Sequence, residues 1–271
     1  MTLPLVVCAD DFAYSESICD AIVDLASRGR ISAISCMVTS PLWRTQSQRL
    51  VPLRDKVDIG LHLVLIDEAP LTKMSHTAPN GILPSLGSLM ADSYGRKLAL
   101  DEIQAEIAAQ CDAFVSATGF APAHIDGHRH THVFPGIRRL VLGAAAKLAP
   151  RPWVRNIAEP ITHIVGRRVA VAKTVLLSAL GSGLAGQARD AGVPTNASFS
   201  GVYSLAPEEN YPALFARFVQ GAGAGHVIMC HPGAADATPL GATRAKEYAY
   251  LAGDEYPALL QRHGFHVGTL V

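Results

Sequence analysis

Hydrophobic and polar positions along the chain switch between two periods. Leu3 to Ala9 is an unbroken apolar run rich in Val and Leu that ends at Asp10-Asp11, as expected of a strand buried on both faces. From Ser15 to Arg28 the period becomes helical, with Ile18, Ile22, Val23 and Leu25 on one face and Gly29 as a stop signal. Ser32 to Val38 predicts a second strand, Pro41 to Leu53 a helix or irregular segment, and Val57 to Leu65 a third strand. Asp67 to Lys97 is rich in Pro, Gly, Ser and Thr and predicts a long excursion with one short helix. Helical periodicity returns at Asp101 to Thr118, where Ile103, Ile107, Cys111, Phe114 and Val115 share a face. A short strand at Ala123 to Asp126, a helix at Pro135 to Ala149 and a brief strand at Trp153 to Asn156 follow. Then come an apolar helix at Thr162 to Gly181, a helix at Pro207 to Gln220 and a strand at His226 to Cys230. A helical stretch from Thr243 to His263 and a closing strand at Phe265 to Leu270 complete the pattern. Alternating strands and helices predict an α/β fold, a single distorted (β/α) barrel of TIM-barrel type with parallel strands, covering 1–271 as one domain. An open doubly wound sheet is the other architecture this order allows.

Composition narrows the function. Hydrophobic residues are 49% and charged residues 17%, a globular balance. Lys+Arg and Asp+Glu both number 23, and a formal net charge of zero argues against a nucleic-acid partner, which calls for a basic excess. No Gly-x-Gly-x-x-Gly or Gly-x-x-x-x-Gly-Lys-Ser/Thr follows a strand, so a nucleotide cofactor has no support. The five cysteines are scattered and form no Cys-x-x-Cys, and the first ten residues lack a basic leader. A reducing, cytoplasmic setting is expected.

Chemistry gathers at the predicted strand ends. Asp10-Asp11 closes an apolar strand, where carboxylates are costly to bury unless paired or metal-bound, although a solvated turn capping the next helix would also place them there. His62 interrupts a strand of Ile, Leu and Val, a position that a hydrogen-bonded core histidine also fills. Four of the 11 histidines lie in His124-Ile125-Asp126-Gly127-His128-Arg129-His130-Thr131-His132. If that backbone stays extended, Asp126, His128, His130 and His132 face one way, and imidazole is a common metal ligand. The spacing does not say which of the three later histidines binds. His231 follows the strand His226 to Cys230, and Arg155 follows another short strand. Such ends form the active-site rim of a barrel and the ligand edge of an open sheet.

Four pieces then combine: Ala9-Asp10-Asp11-Phe12, Gly60-Leu61-His62-Leu63-Val64-Leu65, the His124 to His132 stretch with Phe134-Pro135, and Cys230-His231-Pro232. Together they resemble the YdjC-like carbohydrate deacetylases, which include chitooligosaccharide deacetylase and the hopanoid-biosynthesis deacetylase. Leu61 to Pro70 and the apolar helix before Asn196 are more similar to the hopanoid-associated branch. The resemblance implies a distorted barrel, one divalent metal ion bound by Asp11, His62 and His128, Asp10 as base and His231 as a candidate acid. Asp126, His130, His132 and Asn196 are expected to bind substrate or support the ligands. The sequence departs from the pattern at Ala13, where the family commonly has Gly, and at Arg129, which interrupts what is often a run of histidines.

The expected reaction is removal of an acetyl group from an N-acetylated amino sugar, as an oligosaccharide or a glycolipid. Asp10 would take the proton from the attacking water, Arg155 would hold Asp10 ionised, and His231 would protonate the departing amine. Zn²⁺, Mg²⁺, Mn²⁺, Co²⁺ and Ni²⁺ all suit mixed N/O ligands, Mg²⁺ least with two imidazoles. Val165 to Gly186 is apolar but interrupted by Arg167, Arg168 and Lys173, a poor transmembrane span. It reads as a packed barrel helix or as an apolar lip giving access to a membrane surface. A homodimer is compatible with this reading. The competing readings are a non-haem iron oxygenase using Asp11, His62 and His128, and a non-catalytic sugar-binding protein.

Overall fold

The computed structural model describes residues 2–236 and 240–270. In chain order the elements are β1 (Leu3–Phe12), α1 (Glu16–Ser27), β2 (Ala33–Cys36), α2 (Trp43–Gln46), β3 (Asp58–Leu63), α3 (Leu86–Tyr94) and α4 (Leu100–Thr118). They continue with β4 (His124–Gly127), α5 (Ile137–Ala145), β5 (Trp153–Val154), α6 (Ile161–Arg167), α7 (Val171–Gly181), α8 (Leu184–Asp190) and β6 (Ser198–Ser200). The last are α9 (Tyr211–Phe218), β7 (His226–Cys230), α10 (Gly241–Ala252), α11 (Glu255–Arg262) and β8 (Phe265–Val267).

Every strand pairing is parallel, in the order β5-β4-β3-β2-β1-β7-β6, with β8 added at the start of β1. The sheet curls until its edges meet. Val154 of β5 bridges Thr195 just before β6, and the Val154 amide donates to Pro194 at 2.9 Å. Asn196 completes the seam, accepting from the Asn156 amide at 2.6 Å and donating to the Asn156 carbonyl at 2.8 Å. The result is a distorted (β/α) barrel whose strands are largely buried because helices cover the outside and side chains fill the inside. On α1, Ser15 caps the first turn by accepting from the Ile18 amide, and Ile18, Ile22 and Leu25 are fully buried.

Three expectations change. The apolar helix over Thr162 to Gly181 divides into α6 and α7, because Arg168 and Ala170 take left-handed φ of 54° and 41°. Apolar residues continue on both sides of this break, so hydrophobicity does not mark it. The last helical stretch divides into α10 and α11 at Gly253, whose ψ of 170° ends the first helix. Strand β6 and helix α8 carry no sequence signal of their own. β6 is three residues, Ser-Phe-Ser, and is defined by its pairing with β7.

The 67–97 excursion holds the expected short helix, α3. Two carboxylates from α4 order the rest of it. Glu106 accepts from the Leu71 and Thr72 amides, and Glu102 from the His76 and Thr77 amides, at 2.8–3.0 Å. Among the described residues no helix is long and apolar enough to cross a membrane.

Candidate metal centre and cleft

Adjacent residues of a regular strand point to opposite faces. Asp10 and Asp11 nonetheless line the same cleft, because β1 slips its register against β2 between Ala9 and Phe12. Asp11 takes φ 67° and Ala13 φ 76°, left-handed values that suit glycine better. Ala13 is held there by its neighbours: its amide meets Cys19 Sγ at 3.3 Å and its carbonyl accepts from Ser40 at 2.5 Å. The alanine found where the family commonly has glycine therefore keeps a glycine-like turn.

Asp10 is almost fully buried, and two guanidinium nitrogens of Arg155 each reach it at 2.7 Å. Burial alone would raise this carboxyl, but Arg155 overrides it and holds Asp10 below its ordinary range. Arg155 also contacts Asp126 at 2.5 Å, so one buried cation lies between two carboxylates.

On β3, His62 stands opposite Asp126 of β4, and its Nδ1 meets Asp126 Oδ1 at 2.6 Å. That contact fixes the ring and leaves Nε2 facing Asp11 Oδ1 at 3.4 Å. Burial opposes a proton on His62, but Asp126 and Asp11 outweigh it and raise its pKa to about 10. His128 Nδ1 lies 3.1 Å from the same Asp11 oxygen.

The histidine stretch does not stay extended. β4 ends at Gly127, and the chain turns through a 3₁₀ segment with left-handed φ at Arg129 (53°) and His130 (61°). The three later histidines therefore take different places. His128 joins Asp11 and His62. His130 lines the cleft while its ring packs edge-on against Phe199, and its Nδ1 is buried without a partner among the described residues. His132 turns into the barrel, where its Nε2 donates to the Arg155 carbonyl at 2.8 Å. Burial pushes His132 down to about 4, so the ring is neutral. Asn196 forms the barrel seam and does not line the cleft.

Donor atoms of Asp11, His62 and His128 all lie within 4.8 Å of one another. One carboxylate oxygen and two imidazole nitrogens suit a divalent transition ion and leave coordination positions open. Two other acidic or histidine-containing groups, Cys8/His124/Asp126 and Asp10/His62/Asp126, are fully buried and already enclose the Arg155 cation. Among the described residues, the Asp11 group is the one of these three that has all its members in the cleft lining, with His128 half-buried. Its cleft has a volume of about 580 Å³ and is also lined by Asp10, His231, Lys173, Leu177 and Arg244.

Sequence reasoning missed four residues that complete this region. Ser35 bridges His124 and Asp126 from β2, at 2.9 and 2.7 Å. Arg244 of α10 donates to Asp11 Oδ2. Glu247, one turn further on, accepts the His231 amide at 2.5 Å and the Tyr203 hydroxyl. The only sequence hint on α10 was a charged helix, which ordinarily reads as a solvated face.

The YdjC-like family model matches residues 4–262. The chain belongs to the YdjC-like family. Among its relatives, a chitooligosaccharide deacetylase of Citrobacter koseri is 34% identical over 145 residues, 53% of this chain and 56% of that protein. A carbohydrate deacetylase of Mus musculus is 32% identical over 139 residues, 49% of this chain and 44% of that protein. The chain thus spans about half the length of the curated relatives it matches. A crystal structure of an Enterococcus faecalis protein named for cellobiose-phosphate cleavage superposes on 100% of this chain and 98% of its own, with a TM-score of 0.70 at 21% identity. That likeness shows a shared fold.

Proposed function

We propose that this YdjC-like protein is a carbohydrate deacetylase that hydrolyses the N-acetyl group of an amino sugar, with one divalent ion on Asp11, His62 and His128. The supporting observation is Asp10, a buried carboxylate kept ionised by Arg155, in the same cleft as that ligand set and His231. An ion held there supplies Lewis acidity, polarising the acetyl carbonyl and easing deprotonation of water. Asp10 takes the proton from the water that adds to the carbonyl carbon. His231 delivers a proton to the nitrogen as the C–N bond breaks, leaving acetate and a free amine. Asp126 and Arg155 orient His62 and Asp10 from beneath.

The names of the relatives support N-acetylglucosamine oligomers as first substrates. Acetate release from such oligomers, with and without chelator, tests the reading. Activity is expected to disappear with chelator and return with Zn²⁺ or Co²⁺. Oxygen consumption with Fe²⁺ and no acetate would favour the oxygenase instead, in which Asp10, Arg155 and His231 would have no task. Five buried free thiols suit a reducing compartment, and we place the reaction in the cytoplasm.

One feature favours a glycolipid as a second reading. Helix α7 contributes Lys173 and Leu177 to the cleft and leaves Leu176 60% exposed, while Val165 of α6 is 54% exposed. An apolar aglycone extending from the cleft would cover them. Equal turnover of soluble and lipid-linked substrates by wild type and Leu176→Asp would remove this reading.

A further inference from the structure

His231 is the first residue after β7, and its ring Nδ1 is buried without a partner among the described residues. Helix α10 grips its backbone on both sides. The His231 amide donates to Glu247 Oε2 at 2.5 Å. The His231 carbonyl accepts from Arg244 Nη1 at 3.5 Å, and the Gly233 amide donates to the Arg244 carbonyl at 3.2 Å. The other guanidinium nitrogen of Arg244 reaches Asp11 Oδ2. One turn of a helix thus joins Asp11 on β1 to the histidine that follows β7.

Glu247 is fully buried, and burial pushes its carboxyl above the usual range. A neutral residue would be cheaper to bury at a merely structural position. Glu247 instead meets two donors, the His231 amide at one oxygen and the Tyr203 hydroxyl at the other. A glutamine has one acceptor oxygen and one NH2 group, so with its oxygen on the His231 amide it meets Tyr203 only by donating to the hydroxyl oxygen, which reverses that hydrogen bond and takes the carboxylate away from His231.

We propose that Glu247, anchored by Tyr203, is a positioning residue that aims His231 into the cleft, with Arg244 fixing its place relative to Asp11. This rests on His231 serving as the acid of the deacetylation. A displacement of about 1 Å at a reacting group can cost on the order of 10²-fold in rate.

The test compares acetate release by wild type, Glu247→Gln, His231→Ala and the double variant, with metal content and thermal midpoint measured for each. Glu247→Gln is expected to lower kcat by roughly tenfold or more, leaving KM and metal content near wild type. In the His231→Ala background the same substitution is expected to change kcat by less than about twofold, since residues that act through one another are not additive. An equal loss in both backgrounds, or full kcat in Glu247→Gln, would overturn the proposal. If Glu247→Gln does not fold, Tyr203→Phe removes one anchor and keeps the carboxylate, and the same dependence on His231 is required of it. Wild-type turnover by His231→Ala would remove the acid assignment itself, and this proposal with it, whereas a slow His231→Ala with additive losses sinks only the positioning role.

Discussion

Asp10 shows how one partner decides what a side chain can do. It is as buried as the core leucines, and a lone carboxyl there would hold its proton to high pH. The guanidinium of Arg155 reverses that outcome. Asp10→Asn and His231→Ala are each expected to lose on the order of 10²–10⁴ in kcat. Arg155→Gln makes a finer test. Removing the cation leaves burial in control, so the Asp10 pKa rises and the acid limb of kcat/KM moves to higher pH. A limb unmoved in Arg155→Gln would separate Asp10 from the profile. His62→Ala removes a proposed ligand whose ring is paired with Asp126, and elemental analysis of the purified variant is expected to show metal depletion. Full metal content in that variant would refute the ligand set.

At the scale of elements, the barrel interior is organised by close approaches that only small residues permit. Gly60 of β3 lies under the ring of His124, which stacks on Trp153 with centroids 4.4 Å apart. A Cβ on Gly60 would fall 2.3 Å from His124 Nδ1, so Gly60→Ala must displace the ring or part β3 from β4. Overpacking of this kind costs roughly 1–3 kcal/mol. Because His62 and Asp126 are paired across the same two strands, metal affinity is expected to fall together with thermal stability. Gly60→Ala with an unchanged melting midpoint would show that His124 moves freely. The break between α6 and α7 and the turn after β4 share one cause, consecutive or near-consecutive residues in left-handed conformation without glycine. Such residues persist only where surrounding packing enforces them.

For the whole molecule, buried imidazoles of two kinds set the response to pH. Burial pushes His124 and His132 to about 4 and His226 to about 3. In the unfolded chain they protonate near about 6.5. Between about pH 6.5 and about pH 4 the unfolded state therefore binds more protons, and stability falls as the solution becomes more acid. His62 has the opposite sign. With its pKa raised to about 10, its contribution is full below the unfolded value and is lost as pH rises toward about 10. In chelator, the thermal midpoint is expected to peak near about pH 6.5 and to decline on both sides. A midpoint that climbs steadily from about pH 5 to about pH 9 in chelator would contradict this balance.

Most strands and helices, and the gathering of Asp10, Asp11, His62, Arg155 and His231 near strand ends, were legible from the chain alone; β6, α8 and the two helix breaks were not. Each legible feature is a local signal: an apolar run that ends in a polar residue, or a helical period with a cap. What the chain alone left open was direction and partnership. The register slip in β1 turns two adjacent aspartates toward one cleft, and the turn after β4 sends His128, His130 and His132 to three places. Ser35, Arg244, Glu247 and the β6 seam gain their roles from residues far away in sequence. Periodicity records which face of a segment is apolar, but a hydrogen bond depends on atoms from two segments, and their meeting is decided only when the barrel closes.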